Sequence, residues 1–280
     1  MDVLKRITYI SQLRDARAAL PVPVGLVPTM GYLHEGHISL VKRAREEAAS
    51  VVVSIFVNPT QFAPTDDLDA YPRDVERDAA LLQEAGADLL WLPTPAVMYP
   101  PDFQTWVDVE KLTGPLEGEK RPGHFRGVTT VVAKLFNAVQ PQKAYFGQKD
   151  AQQVAIIRQM VRDLNMPVEI VTMPIVRERD GLAMSSRNTY LNPAERQAAL
   201  VLSKSLDAAQ SAYVSGERNA ETLRELMREI INAERLARLE YVSCADYDSL
   251  AELDEISGKA LLSMAVYIGS TRLIDNHVLA

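Results

Sequence analysis

The side chains in this sequence that most directly suggest chemistry are two histidines three positions apart, His34 and His37. They follow a short apolar run, and the second histidine begins a stretch, 37–49, whose apolar residues have helical spacing. The first turn of a helix presents unpaired N–H groups and a partial positive charge, so phosphate groups bind there. Imidazoles in such a place can donate hydrogen bonds to phosphate oxygens and stabilise charge on a leaving pyrophosphate. We therefore expect an ATP site around this pair.

Two other roles for the histidine pair remain open from the spacing alone. Histidines at positions i and i+3 share one helix face and could bind a metal ion, although the sequence has no HExxH pattern and a single cysteine, Cys244. The pair could also serve only to cap the helix. The neighbouring glycines, Gly31 and Gly36, permit a tight turn and the close approach of a flat adenine.

Polar residues directly follow two further apolar runs, as the histidines follow the first. Lys149 follows one of them and is a point charge suited to phosphate, while Asp150 beside it could cap the next helix. Gln153 lies one turn into that helix and would face the same end of the predicted sheet. Gln61, and Asn58 before it, follow the other run and could bond a small polar substrate. Because ligands of parallel sheets bind beyond the carboxyl ends of the strands, we expect these segments to converge.

Two loops add candidates for anion binding. In LAMSSRN, Ser185, Ser186 and Arg187 offer two hydroxyls and a guanidinium fork, which suits a phosphate clamp on a mobile loop. In RPGHFRG, Arg121 and His124 lie in a loop before a helix and suit a carboxylate. From residue types alone, a polar surface loop explains either stretch equally well.

The stretch YPRDVERD contains a candidate for metal binding. Asp78 could help to hold a Mg²⁺ ion that ATP carries, since such an ion usually needs only one or two carboxylates from the protein. An exposed aspartate on a helix surface is the simpler interpretation of the same residue.

The apolar pattern predicts an α/β fold. Short runs rich in Val, Ile and Leu alternate with longer segments of helical spacing, which is typical of a parallel sheet covered on both faces. Gly86 is expected to follow the end of one helix and Pro72 to lie in its first turn. After Pro174 the pattern changes to a stretch that resembles a hinge, then two long helices and short strands. We therefore expect one domain over 1–175 and a smaller α+β domain over 176–280. The predicted strands cover 22–28, 51–57, 88–93, 143–147 and 168–174, and the predicted helices 37–49, 72–86, 123–139 and 150–164.

Composition limits the class of function. The 280 residues carry a formal net charge of -7, which argues against nucleic acid as the main partner, because phosphate backbones bind to basic surfaces. A single cysteine excludes an intrachain disulfide and suits a reducing compartment. No apolar run approaches the roughly 20 residues that span a bilayer, and the charged N-terminus differs from a signal peptide. We expect a cytoplasmic protein without membrane contact.

Together these segments resemble the pantoate–β-alanine ligase family. The matching stretches are PTMGYLHEGH, SIFVNPTQF, YPRD, RPGHFRGVTTVV, FGQKDAQQ and DGLAMSSRNTYL, in this order over about residues 22–192. The HEGH tetrad is also similar to the nucleotide-binding motif of class I aminoacyl-tRNA synthetases and nucleotidylyltransferases, so by itself it indicates only adenylyl transfer.

The resemblance implies a Rossmann-like domain with the nucleotidylyltransferase-type HxGH motif, a smaller C-terminal lid domain and a homodimer. It implies that (R)-pantoate, β-alanine and ATP, with Mg²⁺, give (R)-pantothenate, AMP and pyrophosphate through a pantoyl adenylate. Two rival interpretations remain. A nucleotidylyltransferase would keep the nucleotide on its product, and a regulatory or RNA-binding relative of the synthetases would bind ATP without turnover.

The resemblance also implies residue roles. His37 is the family's proton donor, and Gln61 and Gln153 match its pantoate-binding glutamines, with Gln61 also near β-alanine. Asp78 matches a position linked with Mg²⁺. The family usually reads FGEKD, whereas Gln148 here removes a negative charge beside Lys149. The residues expected to bind ATP are Met30, Gly31, Tyr32, Leu33, His34, Glu35, Gly36, His37, Gly147, Gln148, Lys149, Asp150, Val176, Met184, Ser185, Ser186 and Arg187. The expected catalytic set is His34, His37, Lys149 and Arg187, and the expected substrate-binding set is Gln61, Gln153, Asn58, Arg121 and His124.

Overall fold

The computed structural model describes residues 4–63 and 68–280. The chain divides into two compact units, Met1–Pro174 and Ile175–Ala280. Within the described residues, no helix is both long and apolar enough to cross a membrane.

The first unit is built on a six-stranded sheet in which every neighbouring pair of strands is parallel. All six residues of the third strand are buried, as expected for a strand covered on both faces of the sheet. The strands are β1 (Lys5–Ile7), β2 (Val24–Thr29), β3 (Ser50–Ile55), β4 (Leu89–Trp91), β5 (Lys143–Gly147) and β6 (Glu169–Met173). The helices are α1 (Ile10–Ala18), α2 (Glu35–Glu47), α3 (Val75–Glu84), α4 (Pro95–Met98), α5 (Glu117–Lys120), α6 (His124–Val139) and α7 (Ala151–Asp163), with 3₁₀ turns at Pro59–Gln61 and Gln148–Asp150.

The strand order of this sheet, β1-β4-β3-β2-β5-β6, contains a reversal. From β2 the chain proceeds to β3 and β4 on one side, and it returns with β5 on the other side of β2. Open parallel sheets bind ligands outside the carboxyl ends of the strands at such a reversal. The carboxyl ends of β2 and β5 therefore mark the expected crevice, and the HEGH and GQKD stretches follow these two strands.

Helix α2 packs closely on the centre of the sheet. Its buried residues include Ile38, Val41 and Ala44, which join a core cluster with the inner strands. A Cβ atom at Gly25 of β2 would lie 3.4 Å from the Cβ of Ala44 and 3.1 Å from the ring of Tyr145. The absence of a side chain at this position therefore allows the close approach of the helix that carries the histidine pair.

The second unit combines a three-stranded antiparallel sheet with helices, and this α+β composition was predicted. Leu206 and Leu223 from two helices join Met264 of the central strand in one core cluster. Cys244 is free and buried, as its apolar surroundings in the sequence indicate. The strands are β7 (Ala237–Asp246), β8 (Ala260–Ile268) and β9 (Thr271–Leu279), the helices are α8 (Pro193–Ala198), α9 (Val201–Val214) and α10 (Ala220–Asn232), and a 3₁₀ turn covers Ser186–Tyr190.

Some local predictions were wrong. Helix α3 begins at Val75, because Asp74 caps it by accepting from the backbone N–H of Arg77, so Pro72 precedes the helix and does not lie in its first turn. Gly86 follows this helix with a φ of +87°, which confirms its predicted terminating role. Strand β1 and helix α1 were not predicted at all.

Candidate active site

The chain makes a tight turn between the end of β2 and the start of α2. Gly31 and Tyr32 both have positive φ, +85° and +50°, and the Gly31 N–H donates to Thr29 Oγ1 at 3.2 Å. A Cβ atom at Gly31 would lie only 2.9 Å from Ile55 Cγ2 on the neighbouring strand. Glycine is therefore required here both by the backbone conformation and by the lack of space.

The carboxylate of Asp78 holds this turn from helix α3. One oxygen accepts from the Tyr32 N–H at 2.7 Å and the other from the Leu33 N–H at 2.8 Å. The side chain is only 1% exposed, and Arg77 approaches it at 3.4 Å. Burial raises the pKa of this carboxyl, and the two backbone hydrogen bonds oppose that shift. Asp78 is thus not the exposed helical aspartate of the simpler interpretation. Each of its oxygens accepts from one backbone amide, and its expected role at a Mg²⁺ ion stays a prediction.

His34 and His37 form a cap whose hydrogen bonds define the tautomer of both rings. The Gly36 N–H donates to His34 Nδ1 at 3.2 Å, and the His34 N–H donates to His37 Nδ1 at 3.4 Å. A nitrogen that accepts a hydrogen bond carries no proton, so the proton of each neutral ring is on Nε2. The ring centroids are 4.1 Å apart. Capping and ligand binding are therefore compatible, since each role uses a different nitrogen.

The environment of His37 keeps its ring neutral. Burial, followed by the charges of His34 and Lys149, lowers the pKa of His37 from 6.5 to about 3. The charge of Lys149, which follows β5, thus acts on the ring of His37, which follows β2. Within the described part of the chain, no group of three or more His, Cys, Asp or Glu side chains is arranged to hold a metal ion.

Asn58, expected to bind substrate, organises the 3₁₀ turn after β3. It is 1% exposed. Its amide nitrogen donates to Gln61 Oε1 and to the Gly127 carbonyl, both at 3.1 Å. Its oxygen accepts from the hydroxyls of Thr60 and Tyr99, each at 2.9 Å. These bonds occupy the whole amide and position Gln61. The substrate contact expected of Asn58 stays a prediction.

Gln61 connects the segments that follow β3 and β2. Its amide nitrogen donates to Met30 Sδ at 3.1 Å, while its oxygen accepts from Asn58. Thioether sulfur is a weak acceptor, so a better acceptor on a substrate could replace it. Helix α6 packs directly beneath this turn, because a Cβ atom at Gly127 would lie 2.4 Å from the Thr60 carbonyl oxygen.

His124 makes contacts within the protein through both ring nitrogens, and its expected role in binding a carboxylate stays a prediction. Its Nδ1 lies 2.8 Å from the Gln61 carbonyl and must donate to it, which leaves Nε2 to accept from Arg121 Nη1 at 3.3 Å. Burial, and next the charge of Arg121, lower the pKa of His124 to about 4. Arg121 also donates to the Gln61 carbonyl at 3.4 Å. Both residues thus support Gln61, Arg121 from the end of α5 and His124 from the start of α6.

The stretch after β5 presents Lys149 and Gln153 one helical turn apart, and both are partly buried. Asp150 is exposed and makes no side-chain cap for α7, so the capping interpretation was wrong. A Cβ atom at Gly147 would meet no atom within 4 Å, which leaves open space beside the backbone. Gln148 and Lys149 lie in the short 3₁₀ turn between strand and helix.

The remaining predicted ATP residues lie in the second unit, in a hairpin and the turn that follows it. Met184 donates its N–H to the Val176 carbonyl at 3.0 Å, so these two positions are neighbours although eight residues apart. Gly181, with φ +98°, forms the tip. Ser185 then caps the next 3₁₀ turn by accepting from the Arg187 N–H at 3.3 Å, and Ser186 is buried.

Side-chain hydrogen bonds and ion pairs connect the hairpin to other parts of the second unit. Arg196 of α8 donates to Glu178 at 2.6 Å and to Asp180 at 2.9 Å. Asn188 donates to Glu178 at 3.0 Å. Arg177 at the base pairs with Asp275 of β9. These anchoring residues were not predicted from the sequence.

Tyr99 and Gly127 are framework residues of the site that were also not predicted. A signal existed for Gly127, because a glycine inside an apolar helical pattern is unfavourable unless a close approach requires it. No comparable signal marks Tyr99, whose hydroxyl reaches Asn58 only in the folded chain.

Comparisons with known proteins give one consistent result. A family model described as pantoate-beta-alanine ligase matches residues 2–278. The pantothenate synthetase of Roseiflexus sp. (strain RS-1) is 60% identical over 276 residues, which are 99% of both chains. A crystal structure of pantothenate synthetase from Thermus thermophilus has a TM-score of 0.94 at 49% identity, covering 98% of this chain and 99% of that one. The pantoate-beta-alanine ligase of Francisella tularensis, solved with beta-gamma ATP and beta-alanine, has a TM-score of 0.80 at 34% identity, covering 98% of this chain and 97% of that one. The chain therefore belongs to the pantoate–β-alanine ligase family.

Proposed function

We propose that this protein joins (R)-pantoate to β-alanine with ATP, giving (R)-pantothenate, AMP and pyrophosphate. The observation that carries the proposal is the histidine pair at the carboxyl end of β2. Each ring uses Nδ1 for the helix cap and keeps its proton on Nε2, and Lys149 lies close enough to affect His37. Family membership supplies the identity of the acid and the amine.

The first step is formation of a pantoyl adenylate. A carboxylate oxygen of pantoate attacks the α-phosphorus of ATP, the bond from that phosphorus to the bridging oxygen breaks, and pyrophosphate leaves. The attacking carboxylate is already ionised at neutral pH, so no general base is needed. The protein must align the reactants and stabilise negative charge, and His34, His37 and Lys149 suit that role. In the second unit, Ser185, Ser186 and Arg187 supply hydroxyls and a guanidinium for phosphate.

In this scheme the neutral ring of His37 donates a hydrogen bond from Nε2. With a pKa of about 3, its ring is neutral at pH 7. A neutral ring that gave up its Nε2 proton would become an imidazolate, so it cannot serve as an acid in that form. A bound polyphosphate would raise the pKa by its negative charge, and the proton-donor role that the family resemblance implies depends on that shift.

In the second step the neutral amine of β-alanine attacks the pantoyl carbonyl carbon. The bond from that carbon to the AMP oxygen breaks, and the nitrogen loses a proton. Gln61 is suited to hold the substrates, because Asn58 positions its amide and the amide nitrogen donates to a weak acceptor, a thioether sulfur. Gln153 of α7 is the second glutamine proposed to bind pantoate, and Arg121 is a candidate for a substrate carboxylate.

Mg²⁺ is proposed to enter with ATP and not to occupy a site made by the protein alone. Asp78, the carboxylate expected at the ion, is engaged by two backbone amides. The described residues contain no cluster of three potential ligands. Magnesium commonly keeps several waters and is held largely by substrate phosphates, which agrees with this arrangement.

A homodimer in the cytoplasm is the proposed state of the protein. Trp106 is 41% exposed and stacks against Tyr99 at 6.3 Å, and Arg126 lies over it at 4.9 Å. An exposed tryptophan beside an arginine suits an interface, because both residue types are enriched there. Light scattering after gel filtration tests this: a mass of one chain at micromolar concentration would contradict the dimer.

We also propose that the second unit acts as a lid and that the two domains cover residues 1–175 and 176–280.

The deciding experiment is incubation of the purified protein with ATP, Mg²⁺, pantoate and β-alanine, with mass-spectrometric detection of products. Pantothenate and AMP in equal amounts are expected. Labelled pyrophosphate should also exchange into ATP in the presence of pantoate without β-alanine. A product that retains the nucleotide would indicate a nucleotidylyltransferase, and binding of ATP without turnover would indicate a regulatory protein.

A further inference from the structure

The turn that leads into the histidine pair depends on a side chain far away in the sequence. Asp78 accepts from two successive backbone amides, those of Tyr32 and Leu33, at 2.7 and 2.8 Å. Each oxygen of its carboxylate takes one amide, so the plane of the carboxylate defines the direction of both N–H bonds. The side chain is 1% exposed, so water does not compete for these bonds.

The turn needs such support because its own conformation is unfavourable. Tyr32 has a φ of +50°, in the left-handed region that L-residues other than Gly, Asn and Asp seldom adopt. Within the turn itself, Thr29 Oγ1 accepts from the Gly31 N–H at 3.2 Å, but the next two amides point to Asp78. Without an acceptor there, Tyr32 and Leu33 would leave two amides unsatisfied, and the turn would rearrange.

The position of the histidines follows from this turn. His34 directly follows Leu33, and its backbone N–H donates to His37 Nδ1. The direction of that N–H therefore helps to orient the His37 ring, and the cap that places His34 begins at the same residue. A shift at residue 33 would move both Nε2 atoms.

We propose that Asp78 is a positioning residue for adenylate formation, which fixes the Gly31–Leu33 turn and through it the Nε2 atoms of His34 and His37. The inference rests on the proposed function for its kinetic consequence. Asp78 touches neither substrate nor metal ion in this role. Only a carboxylate can perform it, because an amide side chain of the same shape offers one acceptor and turns a donor toward the second N–H.

The test compares Asp78→Asn with Asp74→Asn, the same change four residues earlier at the start of the same helix. Asp74 accepts from the Arg77 N–H as the helix cap, and asparagine is an equally good cap. Amide hydrogen exchange is measured at Tyr32 and Leu33, together with pantoate-dependent exchange of pyrophosphate into ATP. In Asp78→Asn we expect both amides to exchange about 10-fold faster or more. The maximal rate of pyrophosphate exchange should fall by about 10²-fold, as for a small misplacement of catalytic groups. Asp74→Asn should match the unaltered protein in both measurements.

A Mg²⁺ titration separates positioning from metal binding. For a positioning residue, the half-saturating Mg²⁺ concentration stays the same in Asp78→Asn while the maximal rate falls. A higher half-saturating concentration, with the rate restored by excess Mg²⁺, would show that Asp78 is a metal ligand and would overturn the proposal. A normal maximal rate with accelerated amide exchange would overturn it as well.

A second variant covers the case in which Asp78→Asn does not fold. In Gly31→Ala the new Cβ atom would lie 3.3 Å from Asp78 Oδ2 and 2.9 Å from Ile55, so the turn must move away from an intact carboxylate. The same pattern of fast amide exchange and low maximal rate is expected, and a normal rate would contradict the proposal. If the unaltered protein makes no pantothenate, the proposed function fails. The amide exchange rates at Tyr32 and Leu33 and the ATP affinity of the variants then test independently whether Asp78 holds the turn. Unchanged values for both would overturn the proposal.

Discussion

The guanidinium of Arg177 donates to both carboxylate oxygens of Asp275, at 2.7 and 3.0 Å. The same group donates to the Gly181 carbonyl at 3.0 Å, so it joins the base and the tip of the hairpin to the last strand. Asp275 is 1% exposed, whereas Arg177 is 29% exposed. The pair is therefore a partly buried, bidentate ion pair, which is the strong class of charged hydrogen bond.

Replacing Arg177 by methionine should destabilise the second unit. The change leaves the buried carboxylate of Asp275 without its partner, and removal of one member of a buried pair costs roughly 3–5 kcal/mol. Because Arg177 is partly exposed, the lower end of that range is expected in urea unfolding. The Michaelis constant for ATP should also rise, since Val176 and Met184 lie in the released hairpin.

A matched control exists on helix α10. Arg228 pairs with Glu221, and both side chains are exposed, at 38% and 48%. Arg228→Met should change the free energy of unfolding by less than about 1 kcal/mol. Equal losses in the two variants would show that the Arg177–Asp275 pair contributes no more than a surface pair.

Replacing His37 by asparagine separates its two roles. The shorter side chain keeps an acceptor near the place of Nδ1 for the His34 N–H but has no donor at the place of Nε2. The rate of pantoate-dependent pyrophosphate exchange should fall by about 10²-fold or more. The urea concentration at which half of the protein is unfolded should stay close to that of the unaltered protein. A near-normal rate would remove His37 from the charge-stabilising set.

Stability should decrease in mildly acidic solution because of the neutral histidines. The pKa of His37 is lowered to about 3 and that of His124 to about 4, both from 6.5. Between these values and 6.5 the unfolded chain binds protons that the folded chain does not. The stabilisation is therefore complete above pH 6.5 and is lost as the pH falls through 6 and 5.

Urea unfolding at several pH values measures this loss. Each histidine adds a slope of up to about 1.4 kcal/mol per pH unit. His124→Gln should reduce the slope between pH 6.5 and 5, whatever its stability at pH 7.5, and His277, whose pKa burial also lowers, should account for part of the slope that remains. A free energy of unfolding that is constant over this interval would contradict the burial of both rings.

The close packing of α6 against the turn after β3 predicts a defect in Gly127→Ala. The new Cβ atom would lie 2.4 Å from the Thr60 carbonyl oxygen, which is backbone and cannot yield without moving Gln61. We expect a loss of about 1–3 kcal/mol in stability and a higher Michaelis constant for pantoate. Gly114→Ala is the control, since its nearest neighbour, the Lys111 carbonyl oxygen, would be at 3.6 Å. Similar behaviour of the two variants would contradict this account.

Much of the sheet could be predicted because its inner strands are buried on both faces and are therefore continuous apolar runs. Val51, Val52 and Val53 are all fully buried in β3. The edge strand β1 escaped prediction because it has three residues, of which only Ile7 is buried. Helix α1 escaped because only Leu13 and Ala16 of its nine residues are buried, too few for a clear apolar stripe.

Residue types and local spacing suffice to select the candidates for the chemistry. His34, His37 and Lys149 are recognisable because a helix start after a strand is a local feature, and the family resemblance assigns them to ATP. The partner of each polar atom, in contrast, depends on which distant segments the sheet brings together. Tyr32 and Asp78 are 46 positions apart, and His124 reaches a carbonyl 63 positions away. These long-range hydrogen bonds let Asp78 hold the backbone of the turn and connect His124 to Gln61. They are decided by the tertiary structure, because the segments that they join meet only in the folded sheet, whereas the cap bonds of the histidine pair span only two and three positions.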